Sequence, residues 1–219
     1  MARNKYPEQT LEQIMAVSAK LFMEKGYDKT SIQDIINEVG MSKGAIYHHF
    51  TSKEEILEAV MNQRSDRAAD MFQTLIQSTQ APNAREKLIS LLEALAVDHD
   101  AHSLDALLCS QIHNPQFVVN GIKDCVLQDA KQLASIMKQG MEDGSIRTEY
   151  PDECAEVFLL LLNVWMNPVL FMRDIEGTIR RLQFLQLMMK QLGVDVVSDS
   201  LIQKAMEQYK NMGAFLNVE

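Results

Sequence analysis

The chain has 219 residues and carries 21 Lys and Arg against 30 Asp and Glu, a formal charge of −9. That length can bury a large core as one or two domains. The scarcity of Gly, Pro and aromatic residues beside many Leu, Met and Gln points to an all-α protein. Three cysteines (Cys109, Cys125 and Cys154) are far apart and odd in number, so no disulfide framework is implied. The opening stretch, Met1 to Leu11, is polar and unlike a leader peptide. The longest apolar run, Val157 to Met172, is broken by Asn163, Asn167 and Pro168 and is too short to span a bilayer. A reduced cytoplasmic protein is expected. Enzyme classes with short signatures are also excluded: there is no GxSxG, phosphate-binding Gly loop, HExxH or CxxC, and the acidic residues are scattered. No cofactor is implied.

In chain order, the first predicted helix buries Leu11, Ile14, Met15, Leu21 and Phe22 and stops at Gly26. Thr30 with Gln33 forms an expected capping box, and Ile32, Ile35, Ile36 and Val39 recur at helical spacing. Gly40 then ends the second helix, where a left-handed residue costs little. Ser42 caps a third helix, with Met41 and Ile46 as a hydrophobic staple. At about 100° per residue, Ile46, His49 and Phe50 share one arc and face inward. Lys43, Gly44, Tyr47 and His48 share the opposite arc, which the staple leaves free.

That arc suits DNA. Lys43 can reach a phosphate or a guanine edge, and the Tyr47 hydroxyl can meet a phosphate. Gly44 removes a side chain where a helix start would approach the duplex, and His48 can donate to a base edge or a phosphate. Ser52 caps a fourth helix with Glu55 answering. Lys53 stands in its first turn, where a cation opposes the helix dipole and a bound phosphate would reverse that sign.

The run TSIQDIINEVGMSKGAIYHHFTSKEEIL, preceded by IMAVSAKLFMEKGYDKTS, resembles the DNA-binding domain of the TetR (tetracycline-repressor-like) family of bacterial regulators. The resemblance covers roughly the first quarter of the chain. It implies an N-terminal three-helix helix-turn-helix domain (residues 1–53) joined to a helical ligand-binding and dimerisation domain (residues 54–219). It implies DNA contacts at Ser31, Ser42, Lys43, Gly44, Tyr47, His48, His49 and Lys53, a near-palindromic operator, a homodimer, and a small-molecule effector. Charge agrees. Residues 1–53 hold seven basic and six acidic residues, a net +1, and the remainder holds 14 against 24, a net −10. Only the N-terminal segment suits a polyanion.

A long fourth helix is expected from Ser52 to about Ser78, using Ile56, Leu57, Val60, Met71, Phe72, Leu75 and Ile76. Gln80 to Asn83 is a loop marked by Ala81-Pro82. Helices are predicted over 84–101, 103–112, 116–141, 151–172, 176–193 and 199–212. Residues 155–172 and 178–192 are apolar on more than one face, as with Leu182, Leu185, Leu187, Met188, Met189 and Leu192. Such a helix either crosses a larger core or meets a partner; the resemblance implies a partner. Phe117, Met137, Met141, Trp165 and Met166 are candidates to line a pocket for a mostly apolar ligand, since Met adapts to irregular shapes. Pro168 is expected to kink its helix. No metal site is assigned. His99/His102 or Cys109/His113 could each clasp one ion only with ligands from elsewhere, because ~1.5 Å per residue separates the pairs too far for one site. The functional expectation is a DNA-binding repressor released by ligand. The alternative is a relative acting through a protein partner, as a coactivator without an operator.

Overall fold

The computed structural model describes residues 7–98, His102 and residues 115–215, apart from the side chains of Pro7, Ala68, Gln116 and Phe117. Among the described residues the regular structure is all helical. The chain divides into two compact units, residues 1–71 and 72–219. None of the described helices is long and apolar enough to cross a membrane.

The first unit holds α1 (Pro7–Lys25), α2 (Ile32–Val39), α3 (Lys43–His49) and the start of α4 (Lys53–Ser78). Ile14, Met15, Leu21 and Phe22 of α1 pack its core with Ile35, Ile36, Val39, Ile46, Phe50, Ile56, Leu57 and Val60, all buried. The periodic positions of four short segments thus converge, and burying each such side chain contributes about 1.5–3 kcal/mol. Gly26 and Gly40 close α1 and α2 with positive φ angles of 84° and 72°. Gly40 also donates its N–H to the Ile36 carbonyl.

Two capping expectations shift by one residue. The α2 box is Ser31 with Asp34, not Thr30 with Gln33. The Ser31 hydroxyl accepts from Asp34 N at 3.1 Å, and Asp34 Oδ2 accepts from Ser31 N at 2.9 Å. Thr30 is buried and its hydroxyl is spent backwards, bonding the Leu21 carbonyl (3.2 Å) and the Gly26 carbonyl (2.8 Å). Gln33 is left to bond Asn37. At α4, Ser52 accepts from Glu55 N as expected, but the Glu55 carboxylate reaches Thr51, one residue before the cap.

The second unit contains α5 (Ala84–Leu95), α6 (Pro115–Asp124), a π-helical segment π1 (Cys125–Asp129), α7 (Ala130–Glu142), α8 (Pro151–Leu160), a second segment π2 (Leu161–Trp165), α9 (Ile175–Gln191) and α10 (Asp199–Asn211). Its core gathers Leu88, Leu91, Ile136, Met137, Phe158, Met166, Leu185, Met189, Val194 and Val196. The helix expected at 103–112 lies outside the described residues.

Residues 116–141 were expected as one α-helix; the helical run is continuous but widens at π1. The helix expected to reach 172 stops earlier. It passes into π2 and ends there, so Pro168 does not kink a helix interior. Asn167 Oδ1 instead accepts from Val169 N (3.0 Å) and Leu170 N (3.1 Å), capping a separate turn, and Arg173 N returns to the Pro168 carbonyl. Proline disfavours helical conformation in the residue before it, and an Asn there supplies the cap the turn needs.

Candidate nucleic-acid interface

The third helix is short and held from one side only. Ile46 is fully buried, and Phe50 is buried at the C-cap, where its N–H returns to the Ile46 carbonyl at 3.0 Å. At the other end the Ser42 hydroxyl accepts from Ala45 N at 3.2 Å. These anchors set the helix rotation and leave Ser42, Lys43, Gly44, Tyr47 and His48 exposed.

The exposed row has internal order. Lys43 Nζ stands 5.5 Å from the centroid of the Tyr47 ring, and Tyr47 is 42% exposed. His48 and His49 meet edge to face, with ring centroids 5.3 Å apart. His49 is half-buried, at the border between the inward arc and the free one. A Cβ built on Gly44 meets nothing within 4 Å. Nothing inside the protein therefore requires a glycine there, although glycine weakens a helix by about 1 kcal/mol relative to alanine.

Two of the sequence-derived contact residues are engaged within the chain. The Ser31 side chain is exposed, but its hydroxyl sits 2.5 Å from Asp34 Oδ2 inside the capping box. That hydroxyl and the Ser31 N–H, with Lys25 beside them, hold the Asp34 carboxyl down to about 2. Lys53 is half-buried. Its ammonium donates to the Tyr27 carbonyl at 2.8 Å and lies 4.1 Å from the centroid of the Tyr27 ring. The Tyr27 hydroxyl donates to Glu54 at 3.2 Å. Tyr27 was absent from the sequence reading. Its one signal was an aromatic residue directly after the glycine that ends α1, with a lysine uncomfortably placed at a later helix start.

Residues 14–60, from within α1 to the second turn of α4, match the family model described as "Bacterial regulatory proteins, tetR family". The chain belongs to the TetR family. Over longer stretches this TetR-family chain is 25% identical to the transcriptional repressor KstR2 of Mycobacterium tuberculosis across 142 residues, 63% of this chain and 69% of that protein. It is 27% identical to the regulator UidR of Escherichia coli, again across 142 residues and with the same coverage of each. Among solved structures, a putative TetR-family regulator from Mesorhizobium loti superposes with a TM-score of 0.62 at 19% identity, covering 96% of this chain and 98% of that one. That likeness concerns the fold. The TetR assignment makes the protein a DNA-binding transcriptional regulator and not an enzyme.

In the body of this TetR-family protein, the residues suggested for a ligand pocket separate. Met137 and Met166 are fully buried in one core, and Trp165 packs half-buried against it. Met141 is 41% exposed. It shares the buried arc of α7 by spacing but falls in the last turn, where the chain leaves the helix. Phe117 lies on α6, its side chain outside the described residues. Beside Met166, the Asn163 amide of π2 donates to the Cys125 thiol of π1 at 3.3 Å, and burial pushes that thiol's pKa up.

The metal alternatives fall mostly outside the described residues, as His99, Cys109 and His113 do. His102 donates a ring N–H to the Leu95 carbonyl at 3.1 Å. Among the described residues no group of three or more His, Cys, Asp or Glu is arranged to hold an ion.

Proposed function

We propose that the protein is a homodimeric operator-binding repressor that a small, mostly apolar ligand releases from DNA. The observation that carries the reading is the exposed row of α3. Lys43, Gly44, Tyr47 and His48 stand free together because Ile46 and Phe50 hold the opposite side. Lys43 supplies a cation for phosphate or a guanine edge, Tyr47 and His48 supply donors, and Gly44 leaves space for close approach. Ser42 and His49 flank this row. Ser31 and Lys53 contribute from the starts of α2 and α4 with whatever donor capacity their internal bonds leave. Residues 1–53 serve as the reading domain and 54–219 as the sensing and dimerising domain.

Repression follows the named activity of KstR2, a relative over most of its length. Dimerisation is supported by α9, which is apolar on two sides. Leu182, Leu185 and Met189 are buried, whereas Phe184 (53% exposed) and Leu187 (55% exposed) are not, and Phe184 meets Trp165 edge to face at 5.9 Å. A symmetric pair presents two reading helices to a near-palindrome with half-sites about one turn apart. The effector reading rests on the Met-containing core around Met137 and Met166, beside two π segments of the kind often found at functional sites. An effector shifts DNA binding only if it prefers one of two protein states.

The test is selection of genomic fragments by the purified full-length protein at about 150 mM salt, followed by titration of the best fragment. A recovered near-palindrome supports operator reading. A folded dimer that enriches no fragment, with or without cell extract, overturns it in favour of a role through a protein partner.

A further inference from the structure

A lysine in the first turn of a helix is electrostatically misplaced, since the unpaired N–H groups there already carry positive charge. Lys53 occupies such a position at α4, and the structure supplies its compensation from within the chain. The ammonium donates to the Tyr27 carbonyl at 2.8 Å and faces the Tyr27 ring at 4.1 Å from its centroid. The same carbonyl accepts from Thr30 N at 3.1 Å. The next residue of α4, Glu54, accepts from the Tyr27 hydroxyl at 3.2 Å. Phe22 of α1 meets the ring edge to face at 5.2 Å. One aromatic residue in the α1–α2 connection is therefore gripped at its carbonyl, its face and its hydroxyl by consecutive residues of α4.

The connection so gripped leads straight into Ser31, the N-cap of α2, while Lys53 opens α4 immediately beyond α3. The two helix starts that flank the reading helix in sequence are thereby tied to each other. We infer that Lys53 is a positioning residue for DNA recognition: it locks the α1–α2 connection to the start of α4 through Tyr27, setting the geometry in which α3 is presented, instead of serving mainly as a phosphate contact. This inference rests on the operator-binding reading above.

The two roles of Lys53 differ in one measurable quantity. A lost phosphate contact lowers the slope of log affinity against log salt by about one unit. A lost positioning contact lowers affinity at unchanged slope. The experiment compares full-length wild type, Lys53→Met and Lys53→Arg on the selected DNA fragment across a salt series. Amide hydrogen exchange over residues 30–34 is measured on the same three proteins. Methionine keeps the stem and removes charge and donors, whereas arginine keeps a cation over the ring and a donor for the carbonyl.

The expected result is about tenfold weaker binding by Lys53→Met, the scale of one lost charge-assisted hydrogen bond, with an unchanged salt slope and faster exchange over residues 30–34, and recovery of both affinity and exchange by Lys53→Arg. A slope lowered by about one unit overturns the proposal in favour of a phosphate contact. Unchanged affinity overturns it too, whether exchange rises or not, because the clasp would then be structural only. A wild type that binds no fragment removes the operator-binding reading, and the proposal with it. Unchanged exchange in Lys53→Met beside a wild type that binds overturns the proposal alone.

Discussion

Arg147 donates its backbone N–H to the carbonyl of Gly193 at 3.0 Å, and a Cβ built on Gly193 falls 1.9 Å from the Arg147 carbonyl oxygen. The segment after α7 and the turn after α9 are in backbone contact that only a glycine permits. Gly193 also has a φ of +79°, in the left-handed region.

Gly193→Ala should therefore destabilise the protein by more than ~2 kcal/mol, since the left-handed conformation alone costs ~1–2 kcal/mol for other residues and the clash is with backbone. Urea denaturation checks this. Wild-type stability in the variant would mean that the two segments can part at no cost.

Gly44→Ala should act in the opposite sense on stability. The position has open space and an ordinary helical place in α3, so alanine should stabilise by a few tenths to ~1 kcal/mol. Affinity for the selected fragment should nevertheless fall if, as proposed, DNA approaches this face, because the added methyl would occupy that open space. A variant more stable and equally tight would remove Gly44 from the interface.

Lys43→Ala and Tyr47→Ala should each weaken operator binding by ~1–3 kcal/mol if the contact is specific. Both side chains are exposed, so helicity measured by circular dichroism should be unchanged. Loss of helicity would contradict the face assigned to them.

Acid stability should depend on Asp34. Its carboxyl is lowered from 3.8 to about 2, first by the Ser31 hydroxyl, then by the Ser31 N–H and Lys25. A depressed carboxylate contributes stability that is complete above its unfolded pKa, near 3.8, and is lost as pH falls through its folded value. Stability of the wild type should therefore decline between about pH 4 and 2. Asp34→Asn should be less stable than wild type at neutral pH and show a shallower loss across that window. Parallel curves would exclude Asp34 as a contributor.

Phe184→Asp combined with Leu187→Asp should convert a dimer into a folded monomer in sedimentation experiments. The two side chains are mostly exposed in the single chain, so the fold does not need them, whereas an apolar interface rejects a carboxylate lacking a partner. A dimer that survives both changes would move the interface elsewhere.

Local patterns settled much of this protein from sequence. The buried stripe of α1, the stop at Gly26, the Ile35, Ile36 and Val39 face of α2, the Ser42 cap and the free arc of α3 all depend on neighbours within about one helical turn, where 3.6-residue periodicity and capping chemistry decide the outcome. The free arc is the part of the candidate site that was legible, and it was legible because Ile46 and Phe50 fix the rotation of a helix only two turns long.

Tertiary contacts decided the rest. Thr30 and Ser31 are equally good caps by composition. The choice fell to Ser31 because the Thr30 hydroxyl is drawn to carbonyls in and after α1. Lys53 reads from sequence as a phosphate contact alone, whereas the carbonyl and ring that engage its ammonium belong to Tyr27, 26 residues earlier. Met137 and Met141 lie four residues apart on one helix, yet one is buried and the other exposed, because burial requires something packed opposite. In each case the outcome depends on something outside the segment's own helix, and no periodicity within the segment carries information about it.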